Sequence, residues 1–431
     1  MTEECVRLET ARDDRGSASV IPIRWFSDRS RSSISVSHTL PLDPLGPHTE
    51  AAEDLLAIAV AAYCADRSIT REDQDDGWTR HITLDVPVRR PERWDSDLLR
   101  RVLSTLTGDH WNIELRRGQP HPGLRNSDAD PAAVDATALF SGGVDSLAWA
   151  SELHSSAEAM ALVSHFGDGP TGKLQANLAK QLGARRHYGF RLQRTGSEGR
   201  EGWPDSDTQT TRSRSFLFLA LGLLIARTHR SALLRMPENG YIAVNVPLHA
   251  GRIGSLSTRS AHPEFVDRLN KVIATADLGA RVENPYLFMT KGEVSERLLG
   301  CAPHLAWSSV SCAHPTAGRW RRLPFGHCGY CYPCIIRRAG FNHAGEDRTR
   351  YGSDPLGDSS FYEAGTGQAD IRSIARFLLD PVEVTDIRAT GRIGTTEAAE
   401  ILHQMVRRGQ DEIRRMFAAR ATPEVRARLG L

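Results

Sequence analysis

The run Phe140-Ser-Gly-Gly-Val-Asp-Ser146 has the residue types of an anion-binding loop. Gly142 and Gly143 let the backbone turn tightly and bring its N–H groups close to an anion. A helix starting at that turn adds the positive end of its dipole. Ser141 and Ser146 can donate hydroxyl hydrogen bonds. Asp145 repels bare phosphate, so it is expected to hold backbone or to stand on the Mg²⁺ side. A loop of this kind holds pyrophosphate; a bare Gly-Gly pair would be only a strand-to-helix turn. A second run, Gly167 to Lys173, also fits G-x4-G-K. Leu174 stands where a Mg²⁺-binding Ser or Thr is needed, and Pro170 interrupts the loop. It reads instead as the turn after the second strand, with His165 and Phe166 as candidates to line an adenine pocket.

Four of the seven cysteines lie close together, at Cys312, Cys328, Cys331 and Cys334. Four thiolates suit a closed tetrahedral Zn²⁺ site, which has no open coordination place and is therefore structural. The tandem CxxCxxC also matches iron–sulfur runs. His314 and His327 are substitute ligands should one Cys be free. Without an export signal, clustered cysteines point to metal rather than disulfides.

These groups need elements to position them. ATALF reads as a strand before the loop and DSLAWASELH as a helix after it. MALVSHF is a strand, KLQANLAKQLG a helix, SFLFLALGLLIART a buried helix and GYIAVNV a strand. This alternation predicts a parallel sheet with helices on both faces, which binds ligands at the carboxyl ends of its strands. Residues 1–116 read as an α+β domain with strands IPIRWF, ITLDVPV and WNIEL. Helices are expected at Glu50–Ala65, apolar nearly all round and so buried, and at Ser96–Leu106. Residues 117–135, polar and rich in Pro, Gly and Asp, are a linker. Residues 136–300 form the α/β unit, 301–345 the cysteine segment and 346–431 a helical region. That region carries one stripe at Ile371, Ile374 and Phe377, and another from Ile401 to Phe417 that Gly409 weakens.

The chain has 431 residues, which at roughly 150 per domain means two or three domains. With 54 basic and 53 acidic residues, it has no global attraction to nucleic acid or acidic membranes. The longest apolar run, Phe216 to Ala226, is far short of the ~20 residues that span a bilayer. The acidic, core-less N-terminus is not a signal peptide, so a cytoplasmic location is expected. Only Lys173, Lys180, Lys271 and Lys291 are lysines.

The Ser141–Ser146 loop resembles the PP-loop of the adenine-nucleotide α-hydrolase-like ATP pyrophosphatases. With Ser311-Cys312 and CGYCYPCIIRRAGF near the end of the unit, the pair of motifs resembles the QueC family, the 7-cyano-7-deazaguanine synthases, over roughly 136–345. Arg212-Ser-Arg-Ser-Phe216, Pro237-Glu-Asn-Gly240, Asn284-Pro-Tyr286 and Thr290-Lys-Gly-Glu293 look like further stretches of that family. The resemblance implies ATP with Mg²⁺ and Zn²⁺ as cofactors, and adenylation of the carboxylate of a 7-carboxy-7-deazaguanine-type base. AMP is then displaced by ammonia or a protein amine. It implies Ser141, Gly142, Gly143, Val144, Asp145 and Ser146 around the nucleotide. Asp145, Lys291 and Arg214 would be catalytic, and Arg212, Glu238, Asn239, Arg259 and His262 would face the substrate.

The synthase's Tyr-Pro-Asp-Cys-Arg segment is replaced by Ser257-Thr-Arg-Ser-Ala-His-Pro263, and long flanks are added. The long form resembles the QueC-like proteins of antiphage operons, such as QatC of the Qat system and the member in type IV CBASS. Partner proteins from such an operon are therefore expected, and membrane and nucleic acid are not; the exposed helices of the α/β unit leave room for a homodimer. The alternatives are a tRNA-modifying PP-loop enzyme and a non-catalytic ATP-binding scaffold.

Overall fold

The computed structural model describes residues 3–10, 20–28, 31–38, 48–122, 132–153, 159–194, 212–246, 259–316, 325–363 and 368–431. Ser257 and Thr258 of the altered segment lie outside the described residues, as do residues 123–131 of the 117–135 stretch.

The N-terminal part holds β1 (Glu3–Glu9), β2 (Val20–Arg24), β3 (Ile34–His38), α1 (Glu50–Ser68), β4 (His81–Val88), α2 (Ser96–Thr107) and β5 (His110–Arg117). Four of its strands form one sheet in the order β2-β1-β4-β5, parallel throughout. The central part holds β6 (Ala136–Leu139), α3 (Val144–Glu152), β7 (Met160–His165), α4 (Gly169–Gln181), β8 (Arg186–Arg194), α5 (Arg214–Thr228), β9 (Leu233–Arg235), α6 (Gly240–Val244), α7 (Pro263–Thr275), β10 (Arg281–Glu283) and α8 (Lys291–Cys301). Its sheet runs β10-β9-β6-β7-β8-β3. All pairs in it are parallel except β3, which comes from the N-terminal part and adds antiparallel to β8. The remainder is helical: α9 (Pro303–Ala306), α10 (Tyr332–His343), α11 (Ala369–Leu379), α12 (Val384–Ala389), α13 (Thr396–Arg420) and α14 (Pro423–Leu429).

The all-apolar helix at 50–65 has a physical reason. One side of α1 packs on β1 and β4 and another on α5, which in turn packs on β6, β7 and β9. Residues Ala51 to Asp66 are therefore all buried. A helix enclosed between a sheet and another helix has no water-facing stripe. One hydrophobic cluster consequently runs from β1 and β4 through α1 and α5 to β7 and β8.

The expected strand GYIAVNV is instead the short helix α6. Asn239 caps it, its Oδ1 accepting from Ile242 N at 3.1 Å. Its apolar residues serve a helix–helix contact with α13, where a Cβ on Gly409 would overlap the Tyr241 ring. The strand in that place is Leu233–Arg235, only three residues long. Gly409 thus permits a close approach within a continuous α13. Among the described residues no helix is long and apolar enough to cross a membrane.

Candidate active site

The loop between β6 and α3 lies at the carboxyl end of the central strand β6. Gly142 sits at φ +81°, a left-handed conformation that favours glycine. A Cβ on Gly143 would stand 3.3 Å from both Ser141 Oγ and Ser311 Oγ, so any side chain there would crowd the loop. Three contacts fix the turn. Gly143 N donates to Ser141 Oγ at 3.3 Å. Gln175 Nε2 donates to the Ser141 carbonyl at 3.1 Å. Val310 N donates to the Gly142 carbonyl at 3.0 Å. Ser141 and Ser146 place their Oγ atoms 3.2 Å apart.

A cleft of about 260 Å³ opens beside this loop. Ser141, Gly143, Val144 and Asp145 form one wall, Pro237, Glu238 and Lys291 another, and Ser311 and Cys312 a third. Asp145 and Lys291 meet here across 146 residues of sequence. Lys291 Nζ donates to Asp145 Oδ1 at 2.7 Å and to Oδ2 at 2.8 Å. Asp145 Oδ2 also accepts from Asn239 Nδ2 at 2.9 Å and from Asn239 N at 3.3 Å. Asp145 thus accepts from Lys291 through both oxygens and from Asn239 through Oδ2. Lys291 has one donor left over, since an ammonium carries three. It is the first residue of α8, where the helix dipole disfavours a cation; the buried carboxylate of Asp145 offsets that.

Glu238 stands on the cleft wall. Its backbone is held on both sides by Asn284, whose Oδ1 accepts from Glu238 N at 3.2 Å and whose Nδ2 donates to the Glu238 carbonyl at 2.8 Å. Desolvation and the adjacent Asp145 carboxylate push its pKa well above the usual carboxylate range.

The other candidates are arranged differently. His165 and Arg214 pair with each other, Arg214 Nε donating to His165 Nδ1 at 3.3 Å. Burial and that guanidinium hold His165 neutral, at a pKa of about 3. Phe166 lies under Gly172, so the G-x4-G-K run is a helix start capped by Asp168, with Lys173 exposed. Neither His165 nor Phe166 lines this cleft. Arg212 stacks on Trp78, 4.7 Å from the ring centroid, and His262 caps α7 while contacting Thr390 Oγ1 at 2.9 Å. Both point to structural neighbours rather than to the cleft. Arg259 is half-buried in the turn before α7, its carbonyl accepting from His262 N at 3.1 Å.

The four cysteines of the 312–334 segment converge. Their Sγ atoms all lie within 4.8 Å of one another, with Cys312–Cys331 and Cys328–Cys334 each at 3.9 Å. A tetrahedron with metal–sulfur bonds of ~2.3 Å has edges of roughly 3.8 Å. The set therefore fits one metal ion. Gly329 makes the knuckle at φ +93°, where a Cβ would overlap the Ser353 carbonyl. His327 is no substitute ligand; its Nε2 accepts from Ser311 N at 3.3 Å. His314 is exposed.

Ser311 is the residue that the loop pattern alone does not reveal. It precedes the ligand Cys312, and its Oγ accepts from Val144 N at 3.4 Å. The metal-type knuckle and the phosphate-type loop thus share a wall. The fully buried Arg337 ties the same segment down, donating to Ser309 Oγ at 2.8 Å and to the Ala306 carbonyl at 3.2 Å.

Comparison with known proteins agrees with this geometry. The family model described as "Queuosine biosynthesis protein QueC" matches residues 260–345, which include Lys291 and the four cysteines. The 7-cyano-7-deazaguanine synthase 1 of Sphingopyxis alaskensis is 28% identical over 237 residues, covering 49% of this chain and 96% of that protein. The 7-cyano-7-deazaguanine synthase of Syntrophobacter fumaroxidans is 28% identical over 246 residues, covering 51% of this chain and 97% of that protein. The chain is thus similar to the QueC family and has a PP-loop type of α/β fold; the family model takes in residues 260–345 and the two synthases about half of the chain.

Proposed function

We propose that this chain adenylates the carboxylate of a 7-deazaguanine-type base with ATP and passes the acyl group to nitrogen. The observation that carries this reading is the Asp145–Lys291–Asn239 cluster beside the Ser141–Ser146 loop in one cleft. In the first step a substrate carboxylate oxygen bonds to the α-phosphorus, and the α–β bridge breaks to release pyrophosphate. In the second, an amine attacks the acyl carbon, AMP leaves with the bonding electrons, and one amine proton is lost. A second activation of the amide oxygen, followed by loss of AMP, would give the nitrile.

The residues divide this work. Ser141, Gly142, Gly143, Val144 and Ser146 hold the phosphates through backbone and hydroxyl donors. Lys291 stands where negative charge accumulates, and preorganised cations are worth most in such a cleft. Asp145 orients Lys291 and keeps it charged. Glu238, beside them, accepts the amine proton. Arg214, held by His165, is a second cation for the anionic substrate or nucleotide. Mg²⁺ would accompany the phosphates, and Cys312, Cys328, Cys331 and Cys334 would hold a Zn²⁺ that would brace the segment carrying Ser311 against the loop. The defence role belongs to the same proposal, with an operon partner supplying the accepting amine in place of ammonia.

The test is a product assay by mass spectrometry. The protein is incubated with Mg-ATP, 7-carboxy-7-deazaguanine and ammonium, with and without its operon partners. AMP and pyrophosphate in step with an amide, a nitrile or a mass added to a partner protein are expected. Absence of substrate-dependent AMP in every mixture would overturn the reading in favour of an ATP-binding scaffold or a tRNA-directed enzyme.

A further inference from the structure

Outside the matched segment 260–345, the C-terminal helix α13 reaches back to the cleft. Glu412 on that helix is 3% exposed. Its Oε1 accepts from Thr290 Oγ1 and its Oε2 from Gly292 N at 3.0 Å. Thr290 is the N-cap of α8 and Gly292 its second residue, so the two donors flank Lys291. A Cβ on Gly292 would overlap Glu412 Oε1, and a Cβ on Gly340 of α10 would stand 2.6 Å from Lys291 Cγ. The lysine stem is thus confined between α10 and a helix end that α13 supplies with its acceptor. A second contact from α13, Arg408 Nε to Glu293 Oε1 at 2.7 Å, grips the same first turn.

We propose that Glu412 is a positioning residue for Lys291, so that the C-terminal helical region completes the activation site. The catalytic consequence rests on the function proposed above; the positional claim does not. An acceptor here satisfies two donors of the α8 N-terminus that nothing else in the described contacts satisfies in the same way. Burial, with the nearby Glu293 carboxylate, pushes the Glu412 pKa up to about 7, against the hydrogen bonds from Thr290 and Gly292, which lower it.

The composition of the chain provides a direct readout. Lys291 is buried, while Lys173, Lys180 and Lys271 are exposed and serve as internal references. The full-length protein and its Glu412→Ala and Glu412→Gln variants would be acetylated with limiting reagent, and each lysine quantified by peptide mass spectrometry. In parallel, ATP–pyrophosphate exchange would be measured for kcat and KM. Glu412→Ala is expected to expose Lys291 selectively and to lower exchange kcat by about tenfold or more, because small misplacement of a positioned group is costly. KM for ATP should change little. Glu412→Gln keeps an acceptor for Gly292 N and an amide donor for Thr290 Oγ1, so it should behave as the natural protein.

Three results would overturn the proposal. One is unchanged Lys291 protection in Glu412→Ala; another is Lys291 labelling in that variant that rises only together with loss of its cooperative thermal unfolding, the mark of general unfolding. The third is a Glu412→Gln protein indistinguishable from Glu412→Ala. If no protein, natural or variant, shows exchange, the functional reading fails while the labelling still decides the role of Glu412.

Discussion

Lys291 is one of four lysines among 54 basic residues, and it is buried where the other three are exposed. An ammonium kept from water persists only with a partner, and Asp145 supplies both oxygens. Lys291→Ala should leave Asp145 buried with only its Asn239 contacts. We expect a loss of about 3–5 kcal/mol in urea unfolding, and adenylation slowed about 10²–10³-fold. Glu238 gives a pH prediction. Its raised pKa means the carboxyl is neutral further up the pH scale than an ordinary glutamate. As a proton acceptor it works only when ionised, so the amine-transfer rate should rise with pH through that raised value and level off above it. Glu238→Gln should abolish this limb while leaving ATP–pyrophosphate exchange in place. Hydroxylamine as nucleophile, unprotonated across the range, keeps the amine's own titration out of the profile. A limb that survives in the variant would refute the assignment.

At the scale of elements, short connections do most of the positioning. The knuckle at Cys328–Cys331 leads into α10, whose first turn carries Cys334, and Ser311 beside it also meets the phosphate-type loop. Cys331→Ser should therefore lose bound metal, lower the melting temperature and weaken ATP binding together, since metal binding at such a site is folding free energy. Metal analysis, calorimetry and nucleotide titration check the three; weakened binding with full metal content would not fit. Helix α6 offers a packing test. A Cβ on Gly240 would overlap the Leu287 carbonyl, and Met405 Cε stands 2.7 Å from it on another side. Gly240→Ala should cost about 3 kcal/mol. Gly300, in the last turn of α8 with open space around it, makes the opposite control. Gly300→Ala should stabilise by up to about 1 kcal/mol through helix propensity. Chemical denaturation of both variants reads the pair directly.

Over the whole molecule, the two flanks do equivalent jobs with buried acids. From the C-terminal side, Glu412 holds the start of α8 and so Lys291. From the N-terminal side, Asp66 on α1 holds the start of α5: Ser213 N and Oγ donate to its Oδ2 at 2.9 and 2.7 Å. The next residue is Arg214. Asp66 is itself anchored by the buried Arg80, which also binds Asp109 at 2.7 Å. Asp66→Ala should thus cost about 3–5 kcal/mol, because Arg80 loses a partner without reaching water. Its effect should extend beyond the N-terminal sheet to the His165–Arg214 pair. Histidine NMR of the variant would report this; an unchanged His165 signal in a destabilised protein would argue against the linkage.

The local features are legible in the amino-acid sequence alone. Strand–Ser-Gly-Gly–helix, the cysteine spacing, the all-apolar α1 and the striped C-terminal helices are each written within a few turns of chain. Their consequences follow from local geometry and patterning. The likeness to the QueC family was legible for the same reason, because its motifs are contiguous. Which distant residues meet is set by the packing of the folded chain. Arg212 and His262 had motif positions suited to a substrate, yet they are spent on Trp78 and on the α7 cap. GYIAVNV had the composition of a strand, but a capping Asn239 and the contact with α13 made it a helix. Asp145 with Lys291, Ser311 with Val144, and Glu412 with Gly292 are separated by 146, 167 and 120 residues. No spacing rule spans such distances; packing of the helices on the central sheet brings each pair within hydrogen-bond reach.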